Sequence, residues 1–242
     1  MNWLSERPIA HRGLHDRSAG VPENSVVAFE AACTAGYGIE LDTRLSRDGQ
    51  VMVFHDRRLT RLTGSVAKFN ELTASALTAL RLEQTDHGIP TLADVLKRVA
   101  GRVPLLIEIK NNQRHAGPHE AAVAELLTSY KGTCAISSFN PYSVAWFGRH
   151  MPDLLRGQTS SLYPQKDIQT PWTVRTSLKH LTVNPISCPD FIVYHHRALI
   201  MRSPGWARRR GMPVLSYTIK TDDQLAQARR FADNVIFENI RP

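Results

Sequence analysis

Ile39-Glu40-Leu41-Asp42 reads as a strand, and Ser46-Arg47-Asp48-Gly49-Gln50 and a second apolar run, Val51-Met52-Val53-Phe54-His55, follow at once. Side chains alternate along a strand, so Glu40 and Asp42 share one face while Ile39 and Leu41 share the other. Two neighbouring acids on a buried face repel and are costly to desolvate unless a cation lies between them. The sequence around them leaves two readings open, a metal site or a strand end with two solvated acids. The link between the two runs is far too short for the crossover that parallel neighbours need, so they form a hairpin with Asp48-Gly49 at its turn. A hairpin that rises from the first run and comes back returns His55 to the level of Asp42.

Outward from this hairpin, short apolar runs alternate with helical patterns over the whole chain, the pattern of βα units and a mainly parallel sheet. Barrel-strand candidates begin at Ile9, Ile39, Leu105, Cys134, Leu155, Phe191, Val214 and Val235. With the returning arm of the hairpin counted as decoration, they match the eight strands of a closed (β/α)8 TIM barrel. Helix starts are marked by Asn24 or Ser25, Thr91, Asn140 with Pro141 behind it, and Thr221, and Gly36 and Gly101 mark two stops. Residues 57–88 are polar and weakly periodic, and they read as a small insertion above the sheet, after the second strand, without a core of its own. Residues 162–189 are the least legible, with scattered prolines and no sustained period. The expected organisation is one barrel domain over residues 1–242.

The 242 residues, 42% hydrophobic and 21% charged, suit a globular enzyme-sized domain and argue against disorder. Residues 1–8 have no apolar core of the length a secretory signal needs, so a cytoplasmic location is expected. Cys33, Cys134 and Cys188 are odd in number and scattered, which fits reduced thiols rather than a disulfide or zinc framework. The net charge of +8 is compatible with anionic partners. Its one dense group, Arg197, Arg202, Arg208, Arg209 and Arg210, reads either as a solvated helix face or as a surface drawn to lipid headgroups.

In a barrel the chemistry gathers at the C-terminal ends of the strands, where His11, Glu40, Asp42, Glu108 and Lys110 fall and to which His55 returns. Glu40, Asp42 and Glu108 make an oxygen-rich set suited to a hard cation, Mg²⁺ or Ca²⁺, better than to zinc. His11 and His55 suit a reaction that removes one proton and delivers another, as in displacement at phosphorus. Arg12 and Lys110 supply positive charge for a phosphoryl group. Taken singly, each has a structural alternative; Lys110, for instance, neutralises Glu108 as readily as it binds phosphate.

Together with Pro22-Glu23-Asn24-Ser25, Phe29, Gly36, Asp48-Gly49, Val53, His55-Asp56, Ile89-Pro90-Thr91-Leu92 and Glu108-Ile109-Lys110, the His11-Arg12-Gly13 and Ile39–Asp42 motifs resemble the glycerophosphodiester phosphodiesterase family. The resemblance runs in order over the first half of the chain. It implies His11 and His55 as acid and base, a divalent cation on Glu40, Asp42 and Glu108, and phosphate contacts from Arg12 and Lys110. It also implies hydrolysis of a small phosphodiester to an alcohol and glycerol 3-phosphate. Where the family carries Trp-Thr-Val-Asn after its seventh strand, this chain has Tyr217-Thr218-Ile219-Lys220, with Tyr217 expected to lay its ring against glycerol. Where the family closes with Thr-Asp, this chain has Glu238-Asn239. The alternatives are a related phospholipase cleaving a lipid phosphodiester, with contact at a membrane surface, or a barrel without catalysis that binds phosphate esters or nucleic acid. Nucleic acid is not the expected partner.

Overall fold

The structure is a computed structural model that describes residues 3–113, 115–163 and 171–242. Its strands are β1 (Ile9–Ala10), β2 (Gly38–Leu45), β3 (Val51–Val53), β4 (Leu105–Ile109), β5 (Cys134–Ser138), β6 (Leu155–Ser160), β7 (Phe191–His195), β8 (Val214–Ile219) and β9 (Asn234–Phe237). The order β1-β9-β8-β7-β6-β5-β4-β2 is closed by a β1–β2 pairing, and each of these ladders is parallel. The result is a closed (β/α)8 barrel whose eight strands are those read from the sequence. β3 stands outside the ring, antiparallel to β2 with Leu45 opposite Val51, and Gly49 turns the hairpin at φ 81°. Just past β3, the Phe54 N–H donates to the Asp42 carbonyl at 2.9 Å, so His55 does return to the level of Asp42.

The helices are α1 (Trp3–Glu6), α2 (Val26–Ala35), α3 (Thr60–Thr63), α4 (Ala74–Ala79), α5 (Leu92–Val99), α6 (Pro118–Ser129), α7 (Pro141–His150), α8 (Trp172–Lys179), α9 (Asn184–Ser187), α10 (Arg202–Arg209) and α11 (Asp222–Phe231). Of the two candidate caps for α2, Ser25 takes the role, accepting from the Ala28 N–H, and Gly36 closes the helix in the left-handed region. Thr91, Asn140 and Thr221 cap α5, α7 and α11 as their sequence context predicts. Of residues 162–189, residues 164–170 lie outside the described residues, and α8 and α9 account for most of the remainder. Among the described residues no helix is long and apolar enough to cross a membrane.

The register places the acids. Glu40 lies opposite Leu106 and Asp42 opposite Glu108, so these four side chains share the barrel interior. Ile39, Leu41, Leu105, Ile107 and Ile109 face the other way, into the apolar layer shared with Phe29, Val95 and Val123 of the surrounding helices. Below the acids the interior is filled by Leu4, Ile9, Leu106, Ala135, Phe191, Val193, Leu215 and Ile236. Leu4 comes from α1, held against β9 by Asn234, whose amide donates to the Leu4 and Arg7 carbonyls at 2.8 and 2.7 Å. Gly157 makes room for this packing, since a Cβ there would sit 2.3 Å from the Phe191 ring. An apolar floor with acids only at its top keeps water from below and raises the cost of leaving those acids uncompensated.

Residues 57–88 depart from the sequence reading in one respect, because the insertion does build a small apolar cluster. Leu59, Leu62, Phe69, Leu77 and Leu82 pack on Met52 and Phe54 of the hairpin and on Ile89. These apolar residues sit in short helices and turns, so no single period repeats long enough to reveal them. The cluster fixes the insertion against β3, beside the barrel mouth.

Candidate active site

The mouth is assembled from acids within β2 and β4 and from the residues just beyond β1, β3, β4 and β9. After β1 the chain turns through two consecutive left-handed residues, Arg12 at φ 55° and Gly13 at φ 79°. A Cβ on Gly13 would lie 2.9 Å from Ala28 and Phe29, so glycine is what lets α2 close against this turn. The turn aims the Arg12 N–H at Glu40 Oε2, 3.0 Å away. The Arg12 guanidinium lies 2.7 Å from Glu23 Oε1 and 3.2 Å from Asp42 Oδ2. Burial alone would lower the Arg12 pKa, but Asp42, Glu23 and Glu40 together hold it above the ordinary arginine value. Asn24, held at φ 54°, spends its side chain on Asp42, donating to Oδ2 at 2.9 Å and accepting from the Asp42 N–H.

Glu40, Asp42 and Glu108 are all buried and present ligand-capable oxygens within 4.8 Å of one another. Lys110 bridges two of them, with Nζ 3.0 Å from Asp42 Oδ1 and 2.6 Å from Glu108 Oε1. Glu40 receives less help: its Oε1 is buried with no hydrogen-bond partner among the described residues. Burial, then the charges of Asp42 and Glu108, push the Glu40 carboxyl well above the usual range. Asp42 shifts the opposite way, because Lys110 and Arg12 overcome the upward push of its burial and hold it well below that range. One acid of the set thus favours a proton that a cation would displace. The donor set, all carboxylate oxygen, with Glu40 Oε1 and Asp42 Oδ1 buried and without a hydrogen-bond partner among the described residues, fits a hard divalent ion.

Both sequence-predicted histidines have one ring nitrogen fixed by a carboxylate. His11 Nδ1 lies 2.6 Å from Glu238 Oε2, and its Nε2 lies 4.0 Å from Glu40 Oε2. His55 Nδ1 lies 2.6 Å from Asp56 Oδ1. Burial is the largest influence on His11 and, despite Glu238, lowers its pKa to about 4. Glu238 also meets Lys220, and His15 Nε2 stands 3.7 Å from it. Burial would raise the Glu238 carboxyl, yet His11, His15 and Lys220 together hold it far below its ordinary value. Around the other histidine, Asp56 Oδ2 accepts from Arg61 Nε at 2.6 Å, and Arg61 grips Glu23 with both terminal nitrogens at 2.8 and 2.7 Å. An unbroken ionic chain therefore runs His55–Asp56–Arg61–Glu23–Arg12–Asp42, with Arg61 supplied by α3 of the insertion.

Tyr217 lies within β8 rather than beyond it, with its hydroxyl donating to the Ser160 carbonyl at 2.9 Å. Its ring meets Phe139 and His195 edge-on, with centroids 6.3 and 5.5 Å away, and Lys110 Nζ lies 5.8 Å from the Phe139 centroid. This aromatic wall borders the mouth on the side away from the insertion. Sequence reasoning assigned no role to Glu238, Glu23, Asp56, Arg61, Phe139 or His195. Glu238 was accessible in principle: barrel closure pairs Ala10 with Phe237, so the residues just past β1 and β9 must meet. The dense arginine group is solvent-exposed on and around α10, where Arg208 pairs with Asp233 and Arg210 stacks on Trp206 at 3.6 Å.

A closed barrel whose mouth holds three buried acids between two carboxylate-fixed histidines and two cations defines a class of hydrolase that works on an anionic ester. Comparison with known proteins specifies it. The model of the Glycerophosphoryl diester phosphodiesterase family matches residues 11–240. A glycerophosphodiester phosphodiesterase of Caldanaerobacter subterraneus subsp. tengcongensis is 30% identical over 187 residues, 73% of this chain and 74% of the relative. The uncharacterised protein YqiK of Bacillus subtilis is 35% identical over 162 residues, which span 63% of this chain and 65% of YqiK. An Oleispira antarctica phosphodiesterase solved with its product sn-glycerol-3-phosphate shares the fold at TM-score 0.79 and 23% identity, over 97% of this chain and 93% of that one. This chain belongs to the glycerophosphoryl diester phosphodiesterase family and is an enzyme of the phosphoric diester hydrolase class.

Proposed function

We propose that the chain hydrolyses glycerophosphodiesters to an alcohol and glycerol 3-phosphate, with His11 and His55 exchanging the protons. The observation that carries this is the pair of imidazoles, each with Nδ1 fixed by a carboxylate, Glu238 for His11 and Asp56 for His55, so that Nε2 of each ring is the nitrogen left to exchange a proton. His11, lowered to about 4 chiefly by burial, stands neutral near pH 7 and suits the base that takes a proton from the attacking hydroxyl. His55 then gives a proton to the leaving alcohol oxygen as the new P–O bond forms and the old one breaks. Arg12 and Lys110 hold positive charge beside the phosphoryl oxygens, and the Tyr217 and Phe139 rings flank the carbon skeleton of glycerol. Glu40, Asp42 and Glu108 would hold a divalent cation, Mg²⁺ or Ca²⁺, which when bound supplies Lewis-acid stabilisation of charge at phosphorus. A panel of glycerophosphodiesters assayed with and without chelator tests the reading. Cleavage to glycerol 3-phosphate that stops on chelation is expected, whereas undiminished cleavage in chelator overturns the role of the three acids.

Arg61 holds Asp56, the partner of His55, from outside the site. Arg61→Met is expected to lower kcat by about 10- to 100-fold, the scale of losing an outer partner of a site group. Far-ultraviolet circular dichroism should stay unchanged, because Arg61 is half exposed and outside the apolar clusters.

A lipid phosphodiester is the second reading, favoured by Ile200 and Trp206, 70% and 46% exposed among the surface arginines of α10. Faster turnover of a micellar lyso-lipid than of the water-soluble deacylated diester would select it.

A further inference from the structure

Between the insertion and the β4–α6 connection lies a cavity of about 830 Å³ that none of these roles uses. Arg44, Arg57, Arg58 and Lys68 line one side of it, and Lys110, Asn111, Gln113, His115 and His119 line the other. Lys110 also bridges Asp42 and Glu108, so the cavity adjoins the reaction centre directly. Arg44 is tied to that centre as well, since its Nε donates to the His55 carbonyl at 2.8 Å.

The cations here lack what cations elsewhere around the mouth possess. Arg12, Arg61, Lys110 and Lys220 are each ion-paired. Arg44, Arg57 and Arg58 have no carboxylate within ion-pair distance among the described residues, and only Lys68 is neutralised, by Glu71 at 2.9 Å. The one acid in the lining, Glu120, is already engaged by the Asn111 amide at 2.7 Å, the Gly117 N–H at 2.8 Å and the Ser143 hydroxyl. His119 Nε2 is buried in the same wall with no hydrogen-bond partner among the described residues. Guanidiniums that line one cavity without a carboxylate partner, Arg57 and Arg58 solvent-exposed, match a tetrahedral oxyanion, which accepts from several forks at once, better than they match any neutral group.

The cavity and the aromatic wall lie on different sides of the acid cluster. The aromatic wall of Phe139, Tyr217 and His195 occupies the β5–β8 side and suits the carbons of glycerol, which carries no anion of its own. The basic cavity occupies the β2–β4 side, the side left for the alcohol half if glycerol lies against the aromatic wall. We propose that this cavity binds a phosphate monoester carried on the alcohol half, so that the enzyme favours glycerophosphodiesters whose alcohol is itself phosphorylated. The inference rests on the phosphodiesterase reading above.

Steady-state kinetics on glycerophosphoinositol 4-phosphate and glycerophosphocholine, for the wild-type chain and for Arg57→Ala/Arg58→Ala, tests it. Wild type is expected to favour the phosphorylated substrate in kcat/KM by about tenfold or more, the scale of one charge-assisted hydrogen bond. The double variant should lose that preference through KM, with glycerophosphocholine changed by less than about twofold. Equal losses on both substrates, or no loss on the phosphorylated one, overturn the proposal. If neither substrate is cleaved, it is the phosphodiesterase reading that has failed. Calorimetric titration with inositol 4-phosphate then decides the cavity: binding that the double variant loses sustains it, and no binding by wild type overturns it.

Discussion

His11→Ala and His55→Ala are each expected to lower kcat for glycerophosphodiester cleavage by about 10²- to 10⁴-fold, the range for losing one positioned proton-transfer group. In the proposed reading each imidazole has one task. Glu238 holds His11 Nδ1 and Asp56 holds His55 Nδ1, which sets the tautomer and leaves a single nitrogen of each ring to exchange protons. Neither ring is part of the apolar packing, so thermal unfolding should stay cooperative in both variants. Because the two histidines act on one reaction coordinate, the double variant should lose much less than the product of the single losses. Turnover near the wild-type rate in both single variants would remove the histidines from the chemistry. Loss in only one of them would leave a single proton carrier, with solvent serving the other step.

How far the sequence reaches depends on how local the determining contacts are. The barrel strands, the hairpin and the caps at Thr91, Asn140 and Thr221 are set by patterns a few residues long, and the structure places them as expected. The acid cluster was legible because strand alternation and barrel topology together fix which way Glu40, Asp42 and Glu108 point. What was not legible is the set of partners that hold these groups. His11 meets Glu238 across 227 positions and Arg61 meets Glu23 across 38, and no periodicity records such a pairing. Glu238 stood out only as a departure from the family pattern, yet it fixes a ring nitrogen of His11. Arg12, which the family resemblance implies as a phosphate contact, is already engaged by Glu23 and Asp42, so any phosphate contact it makes is shared with them. The insertion's apolar cluster was hidden for the related reason that its members lie on several short elements.

If Glu40, Asp42 and Glu108 hold a divalent cation as proposed, its removal, or Glu40→Gln, is expected to lower cleavage by about 10³-fold or more, since Lewis-acid stabilisation of a phosphoryl transition state is worth several kcal/mol. The same site predicts a dependence that does not rely on turnover. Burial, Asp42 and Glu108 raise the folded-state pKa of Glu40, so without a cation the native chain holds a proton that the unfolded chain releases near 4.5. That proton's contribution to stability is complete below 4.5 and is lost as pH rises through the raised value. A bound cation takes the proton's place, so its affinity should increase with pH over the same interval and binding should release a proton. The melting temperature should therefore rise more on adding Mg²⁺ or Ca²⁺ at about pH 8 than at about pH 5, with the larger rise identifying the better-fitting ion. In Glu40→Gln the proton competition disappears, leaving a smaller shift that varies little between the two pH values. A wild-type shift that is absent, or larger at the lower pH, would mean that Lys110 and Arg12 alone balance the acids and that no cation binds between them.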